Sequence, residues 1–181
     1  AVAMFVIGVL RGVDRPAIAA VLPSLKRFTV LLDVGANVDP KPWHLFQFAV
    51  MGHVYARDIL GIDRPRVGLL SVGEEEGKGN ELTKEAYEQL KESSLNFVGN
   101  VEGRDIYNGQ CDVVVTDGFT GNVALKISES LAETLGSMIR EELTRDWRSK
   151  LGAALALPAF RRFRRRVDYT EMGGAPLLGI D

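Results

Sequence analysis

The residues best suited to chemistry lie in Asp117-Gly118-Phe119-Thr120-Gly121-Asn122, with Lys126 one helical turn further on. Backbone amides, a hydroxyl, a carboxamide and an ammonium group in so short a stretch can hold an anion. Just before them, Val113 to Val115 are β-branched and apolar on both faces, as an interior parallel strand requires. Gly118 and Gly121 permit backbone angles or close approaches that a Cβ forbids. The amides of Thr120 to Val123 would then open a helix whose positive dipole end faces a phosphate. An ordinary strand-to-helix turn has the same spacing, and both readings stand.

Two more strand ends carry polar groups. Gly73-Glu74-Glu75-Glu76-Gly77-Lys78-Gly79-Asn80 follows the stretch from Arg66 to Val72, and Val34-Gly35-Ala36-Asn37 follows Thr29 to Asp33. Open parallel sheets bind ligands at the carboxyl ends of their strands. An anion cradle would therefore join Gly118, Thr120, Gly121 and Lys126 to Asn37 from one neighbour and to Lys78, Gly79 and Asn80 from another. Asn122 and Lys78 are the first candidates for a direct role, with Asn80 beside them. A helix-cap amide and a solvated loop lysine are the alternatives.

Other reactive residue types point elsewhere. Cys111 reads as a small buried residue, because no histidine is placed to activate it. His44 and His53 fall on an apolar helix and read as packing residues. Glu74 to Glu76 beside Lys78 read as a loop-ordering charge network in preference to a metal site. No Gly-x-Gly-x-x-Gly follows a strand, so a nicotinamide dehydrogenase has no fingerprint here. No cofactor and no metal is expected.

Positioning these groups takes alternating strands and helices. Residues 1–11 read as a helix, Gly12 to Pro16 as a turn, and Ala17 to Val21 as a short helix that Pro23 ends. Strands are expected at 29–33, 66–72, 96–99 and 112–117, and helices at 42–60, 80–93 and 121–145. The first of these helices is apolar on too many sides for a simple surface helix, which places it in the core or in a subunit interface. In the last, Val123, Ile127, Leu131, Leu135, Met138 and Leu143 have the spacing of one buried face. The expected fold class is α/β, a three-layer sandwich with a largely parallel sheet.

At 181 residues the chain can bury a real core, and with 46% hydrophobic and 25% charged residues it is globular. A net charge of −2 argues against a nucleic-acid partner. The single Cys111 excludes an intrachain disulfide and fits a reducing cytoplasm. Ala1 to Leu10 is too short to span a bilayer and has no basic residue ahead of it, so it reads as the tail of a core helix. A chain starting inside such a helix is expected to be a fragment of a longer protein.

Basicity is local. From Trp147 to Val167 the chain carries Arg148, Lys150, Arg161, Arg162, Arg164, Arg165 and Arg166 and no acidic residue. Pro158 is expected to split this stretch into two short helices, a hairpin with Leu155, Leu157, Phe160 and Phe163 at or near its tip. An apolar tip flanked by Arg161, Arg162 and Arg165 suits an anionic membrane surface or an acidic carrier protein. A hairpin packed only on a dimer mate is the alternative. The expected organisation is an α/β catalytic portion at 1–146, a basic amphipathic helical hairpin at 147–167 and a return segment at 168–181.

The same loops closely resemble those of the PlsX-type phosphate acyltransferases of bacterial phospholipid synthesis. Matching segments are Arg15-Pro16-Ala-Ile-Ala, Leu32-Asp33-Val-Gly35-Ala36-Asn37, Phe48-Ala-Val-Met51-Gly52, Gly73 to Asn80, Gly99-Asn100-Val-Glu102-Gly103-Arg104, Asp117 to Asn122 and Gly173-Gly174-Ala-Pro176-Leu-Leu178-Gly179. The resemblance implies acyl transfer from acyl carrier protein to inorganic phosphate, a fold of the isopropylmalate dehydrogenase and phosphotransacetylase type, and a homodimer. With the basic segment at 147–167 and the single Cys111, a cytoplasmic protein peripherally associated with the membrane is expected. The family's amino-terminal Asp-Ala-Met-Gly-Gly-Asp and Gly-Asn-Thr-Gly segments and its His-Gly-Ser region beyond Asp181 are not in this sequence, so an incomplete cleft is expected. A short-chain phosphotransacetylase using coenzyme A, and a non-catalytic membrane- or carrier-docking piece, are the competing functions.

Overall fold

The computed structural model describes residues 13–167 and 175–179. The helix expected at 1–11 and most of the return segment at 168–181 lie outside them. Six strands form one sheet in the order β4-β3-β5-β2-β1-β6. They are β1 (Ala17–Pro23), β2 (Phe28–Leu32), β3 (Val67–Leu70), β4 (Phe97–Val101), β5 (Val113–Val115) and β6 (Leu177–Leu178). β2, β5, β3 and β4 run parallel, while at one edge β1 pairs antiparallel with both β2 and β6. Helices α1 (Pro42–Asp58) and α2 (Glu81–Lys91) lie on one face, and α3 (Asp105–Asn108) with the start of α4 (Gly118–Thr144) on the other. The expected three-layer α/β class is the one found.

Ala17 to Val21 is strand where a short helix is expected. Its alanines favour helix weakly, but its positions alternate between two cores. Ala17, Ala19 and Val21 join the cluster under α1 and α2, and Ala20 and Leu22 join the cluster on the opposite face. A segment buried on both sides and paired along its length with β2 outweighs a propensity of tenths of a kcal/mol per residue.

The longer helices follow from local signals. Pro42 begins α1, and the Lys41 amide donates to Nδ1 of His44 at 2.8 Å. His44 is thus a cap as well as a packing residue, and burial, then the charge of Arg15, holds its pKa below the ordinary value. At Gly52 an added Cβ would lie 2.6 Å from Val113 Cγ1, so α1 seats directly on β5. Arg66 ties the starts of β3 and β5 by pairing with Asp112 at 2.9 Å. Burial pushes the Asp112 carboxyl up, but hydrogen bonds from the Arg66 side chain and amide outweigh it and hold the carboxyl below its usual range.

Two expectations about the carboxyl-terminal third are corrected. Pro158 does not split the basic segment; α5 (Trp147–Val167) is one helix with Pro158 inside it. The lost N–H bond costs about 3 kcal/mol, but α5 is exposed around this position, where water can satisfy the freed carbonyl. The hairpin is instead the pair α4 and α5, turning at Arg145 and Asp146, with Asp146 Oδ1 accepting the Ser149 amide at 2.9 Å. Leu155, Leu157, Phe160 and Phe163 therefore lie along α5, away from that tip. The second correction concerns α4: Val123, Ile127, Leu131, Leu135 and Met138 are 40–62% exposed, not buried. That stripe has no cover within the described chain.

Candidate active site

Three loops leave the carboxyl ends of parallel strands on one edge of the sheet: 33–37 after β2, 71–80 after β3 and 116–117 after β5. The β2 and β5 loops are in direct contact. A Cβ at Gly121 would stand 1.9 Å from the Asp33 carbonyl oxygen, and one at Gly118 would stand 2.7 Å from the Asn37 carbonyl oxygen. The Gly118 amide donates to that same Asn37 oxygen at 2.7 Å. Both glycines are needed so that α4 can begin against another loop's backbone.

This packing corrects the expected main-chain cradle. α4 starts at Gly118, three residues earlier than its sequence pattern suggests, with Asp117 as its N-cap. The Thr120 amide donates to Asp117 Oδ1 at 2.8 Å, its hydroxyl lies 2.7 Å from Asp117 Oδ2, and the Gly121 amide closes the first turn onto the Asp117 carbonyl. The amides of Gly35, Ala36 and Asn37 all donate to the carboxylate of Asp33. These amides are already taken, and the cap is itself an anion. Asn37 is likewise committed: it is 6% exposed, and Nδ2 donates to the Pro16 carbonyl at 2.8 Å and Asp33 Oδ2 at 2.9 Å. Lys126 pairs with Glu129 at 2.9 Å.

Asn122 and Lys78 have a different standing. Asn122 is exposed beside Gly35, where an added Cβ would come within 3.8 Å of Asn122 Oδ1. Lys78 is exposed at the end of the β3 loop, where its amide donates to the Glu75 carbonyl at 3.0 Å. Asn80 caps α2, its Oδ1 accepting the Thr83 amide at 2.9 Å, which leaves Nδ2 as its free donor. Asn37, Gly118, Gly121 and Asn122 are thus brought together. Lys78 and Asn80 lie in the loop that follows the neighbouring strand β3, at the same edge.

The glutamates of the β3 loop are held one by one. Glu74 pairs with Arg104 at 2.6 Å, the Glu75 carbonyl accepts from Asn100 Nδ2 at 2.9 Å, and Glu76 pairs with Lys91. Three elements, the turn before α3, β4 and α2, therefore fix the loop that carries Lys78. Asn100 Oδ1 and Ser71 Oγ are buried beneath it without a hydrogen-bond partner. Among the described residues no group of three or more His, Cys, Asp or Glu side chains could hold a metal. Cys111 is buried, and burial, then the charge of Asp105, pushes its thiol up to about 11, so it stays protonated near neutral pH.

Asp33 and Asn100 are the residues that sequence reasoning did not single out. An aspartate directly after a buried strand and two residues before a glycine is an Asx-turn signal, which could have identified Asp33. Asn100 had no such mark, because its partner is a main-chain carbonyl distant in sequence.

A mostly parallel sheet between two helical layers, with its polar loops at the carboxyl edge, is the class to which the phosphotransacetylases belong. The EutD phosphotransacetylase of Staphylococcus aureus matches with a TM-score of 0.55 at 19% identity, over 68% of this chain and 44% of that one. A Streptococcus pyogenes phosphotransacetylase matches with 0.52 at 22% identity, over 67% and 43%. At that identity the likeness is one of fold. The sequence is more specific: the family described as "Fatty acid synthesis protein" matches residues 1–181, and the chain belongs to it. A protein of Pelotomaculum thermopropionicum named phosphate acyltransferase is 58% identical over 100% of this chain and 53% of its own length. Its namesake in Aquifex aeolicus is 60% identical over 99% and 53%. The chain spans about half the length of the curated relatives it matches.

Proposed function

We propose that this chain supplies the phosphate side of an acyltransferase that moves a long-chain acyl group from acyl carrier protein to inorganic phosphate, giving acyl phosphate for phospholipid synthesis. The observation that carries the reading is the contrast at the sheet edge: most polar groups there are bound within the chain, while Asn122 with its carboxamide and Lys78 with its ammonium are exposed. The relatives named phosphate acyltransferase support the reaction class.

Phosphate is a nucleophile near neutral pH, so no covalent enzyme intermediate is required. A phosphate oxygen attacks the thioester carbonyl, the new C–O bond forms, the C–S bond breaks, and the thiolate leaves to be protonated. Lys78 offsets the charge that phosphate brings to the site, and Asn122 Nδ2 donates to the oxygen on which charge builds. Asn80 Nδ2 is a second neutral donor at the same edge. The protein works from the cytoplasm as a homodimer, with Leu155, Phe160 and the arginines of α5 at an anionic membrane surface or against the acidic carrier.

The test is acyl phosphate formation, trapped with hydroxylamine, from long-chain acyl carrier protein and phosphate in the full chain, with acyl-coenzyme A as the competing donor. Asn122→Ala and Lys78→Ala are each expected to lower kcat by about 10²-fold. Unchanged rates in both variants sink the site, and activity with coenzyme A thioesters alone sinks the donor.

A further inference from the structure

Asp33 takes no part in the chemistry proposed above, yet the elements around Asn122 meet on it. It is 0% exposed, and its carboxylate accepts every one of the following bonds. Oδ1 receives the amides of Ile18 at 3.0 Å, Gly35 at 3.2 Å and Ala36 at 3.1 Å. Oδ2 receives the Asn37 amide at 2.6 Å and Asn37 Nδ2 at 2.9 Å. Its own amide donates to the Thr116 carbonyl at 3.1 Å, and its carbonyl lies 1.9 Å from where a Gly121 Cβ would be. One side chain and its backbone therefore join β1, the loop 34–37, the residue that follows β5 and the first turn of α4.

A carboxylate buried this fully is tolerated because charge-assisted bonds surround it. Their geometric result is specific. The loop is folded so that the Asn37 carbonyl takes the Gly118 amide, and so that Gly35 lies against the side chain of Asn122. A carboxamide at position 33 would turn an NH2 group toward converging donors, whichever way it was flipped. The loop, and the wall beside Asn122 with it, would then have to move.

We infer that Asp33 is a positioning residue that holds Asn122 at its place in the transfer. The inference rests on the reading that Asn122 acts in that reaction. Kinetics of the full chain test it through a double-mutant cycle with Asp33→Asn and Asn122→Ala. Asp33→Asn is expected to lower kcat about 30-fold with the KM for phosphate changed less than about threefold, the mark of an interaction made in the transition state. Added to Asn122→Ala it is expected to cost less than a further twofold or so, because its effect passes through a side chain already gone. Losses that multiply in full overturn the positioning role and leave the site intact. An Asn122→Ala variant with unchanged kcat sinks the site reading itself. If Asp33→Asn does not fold, Asn37→Ala, which removes one of the bonds to the carboxylate, enters the same cycle with the same outcomes. The side-chain amide resonance of Asn122 is expected to shift in either variant while the main-chain amides of Glu81 to Lys91 stay in place; an unmoved Asn122 signal also overturns the inference.

Discussion

Gly121 shows what the motif around Asn122 is built to do. Its hydrogen faces a neighbouring carbonyl, so a methyl group there must push α4 off the 33–37 loop. Gly121→Ala is expected to cost about 3 kcal/mol, the upper range for overpacking, because the obstacle is backbone and cannot change rotamer. Gly136→Ala on the same helix is the control: nothing lies within 4 Å of that position, and the change should gain about 0.5–1 kcal/mol from helix propensity. Urea midpoints of the two variants check the contrast, and a Gly121→Ala midpoint equal to that of the parent chain refutes the account. The glycines were legible in the sequence as sites of close approach. What they approach was not, because a glycine before a helix looks the same whether an anion or another loop fills the space. Asp117 carried the same ambiguity: an N-cap aspartate and a helix end open to phosphate share one residue pattern, and only the bonds to Thr120 separate them.

The β3 loop is the element on which the proposed chemistry most depends, since it carries Lys78. Its three glutamates were legible as an ordering network, and the pairs of Glu74 with Arg104 and Glu76 with Lys91 take that form. The partners were not legible, because Lys91 lies a helix away and Arg104 beyond a further strand. All four side chains are exposed, so these pairs should order the loop without adding measurably to global stability. Arg104→Ala combined with Lys91→Ala is therefore expected to speed cleavage by a glutamate-specific protease within residues 73–79 severalfold, and to raise the KM for phosphate, with the thermal midpoint unmoved. Equal protection of the loop in the double variant would show that the Asn100 bond to the Glu75 carbonyl suffices alone. β1 and α5 were misread for a related reason. Local propensity assigns helix to a run of alanines and a break to Pro158, and in each case the surroundings decide: two buried faces for β1, solvent for α5.

Two apolar surfaces remain uncovered on the described chain, and they differ in character. Along α4, Val123, Ile127, Leu131, Leu135 and Met138 form one continuous stripe, on a helix that 27 residues make about 40 Å long. A stripe of this length without its own cover suits a long, flat partner, and a second copy of the same helix is one. The α5 surface is of another kind. Leu155 is 78% exposed, and Leu157, Phe160 and Arg161 line a cavity of about 500 Å³ between α4 and α5 together with Arg140 and Arg164. Apolar and cationic groups side by side match an anionic interface better than they match a copy of themselves, where the arginines would meet each other. No described helix is long and apolar enough to cross a membrane. The two surfaces should therefore separate under mutation. Leu131→Arg with Leu135→Arg is expected to halve the mass seen by light scattering while flotation with anionic liposomes persists. Leu155→Glu with Phe160→Glu should abolish flotation and leave the mass of a dimer. If the first pair leaves the mass unchanged, the α4 stripe is not the dimer face; if the second leaves flotation unchanged, the α5 surface meets the carrier protein instead, and the arginines there should then make acyl transfer from carrier protein fall steeply with salt.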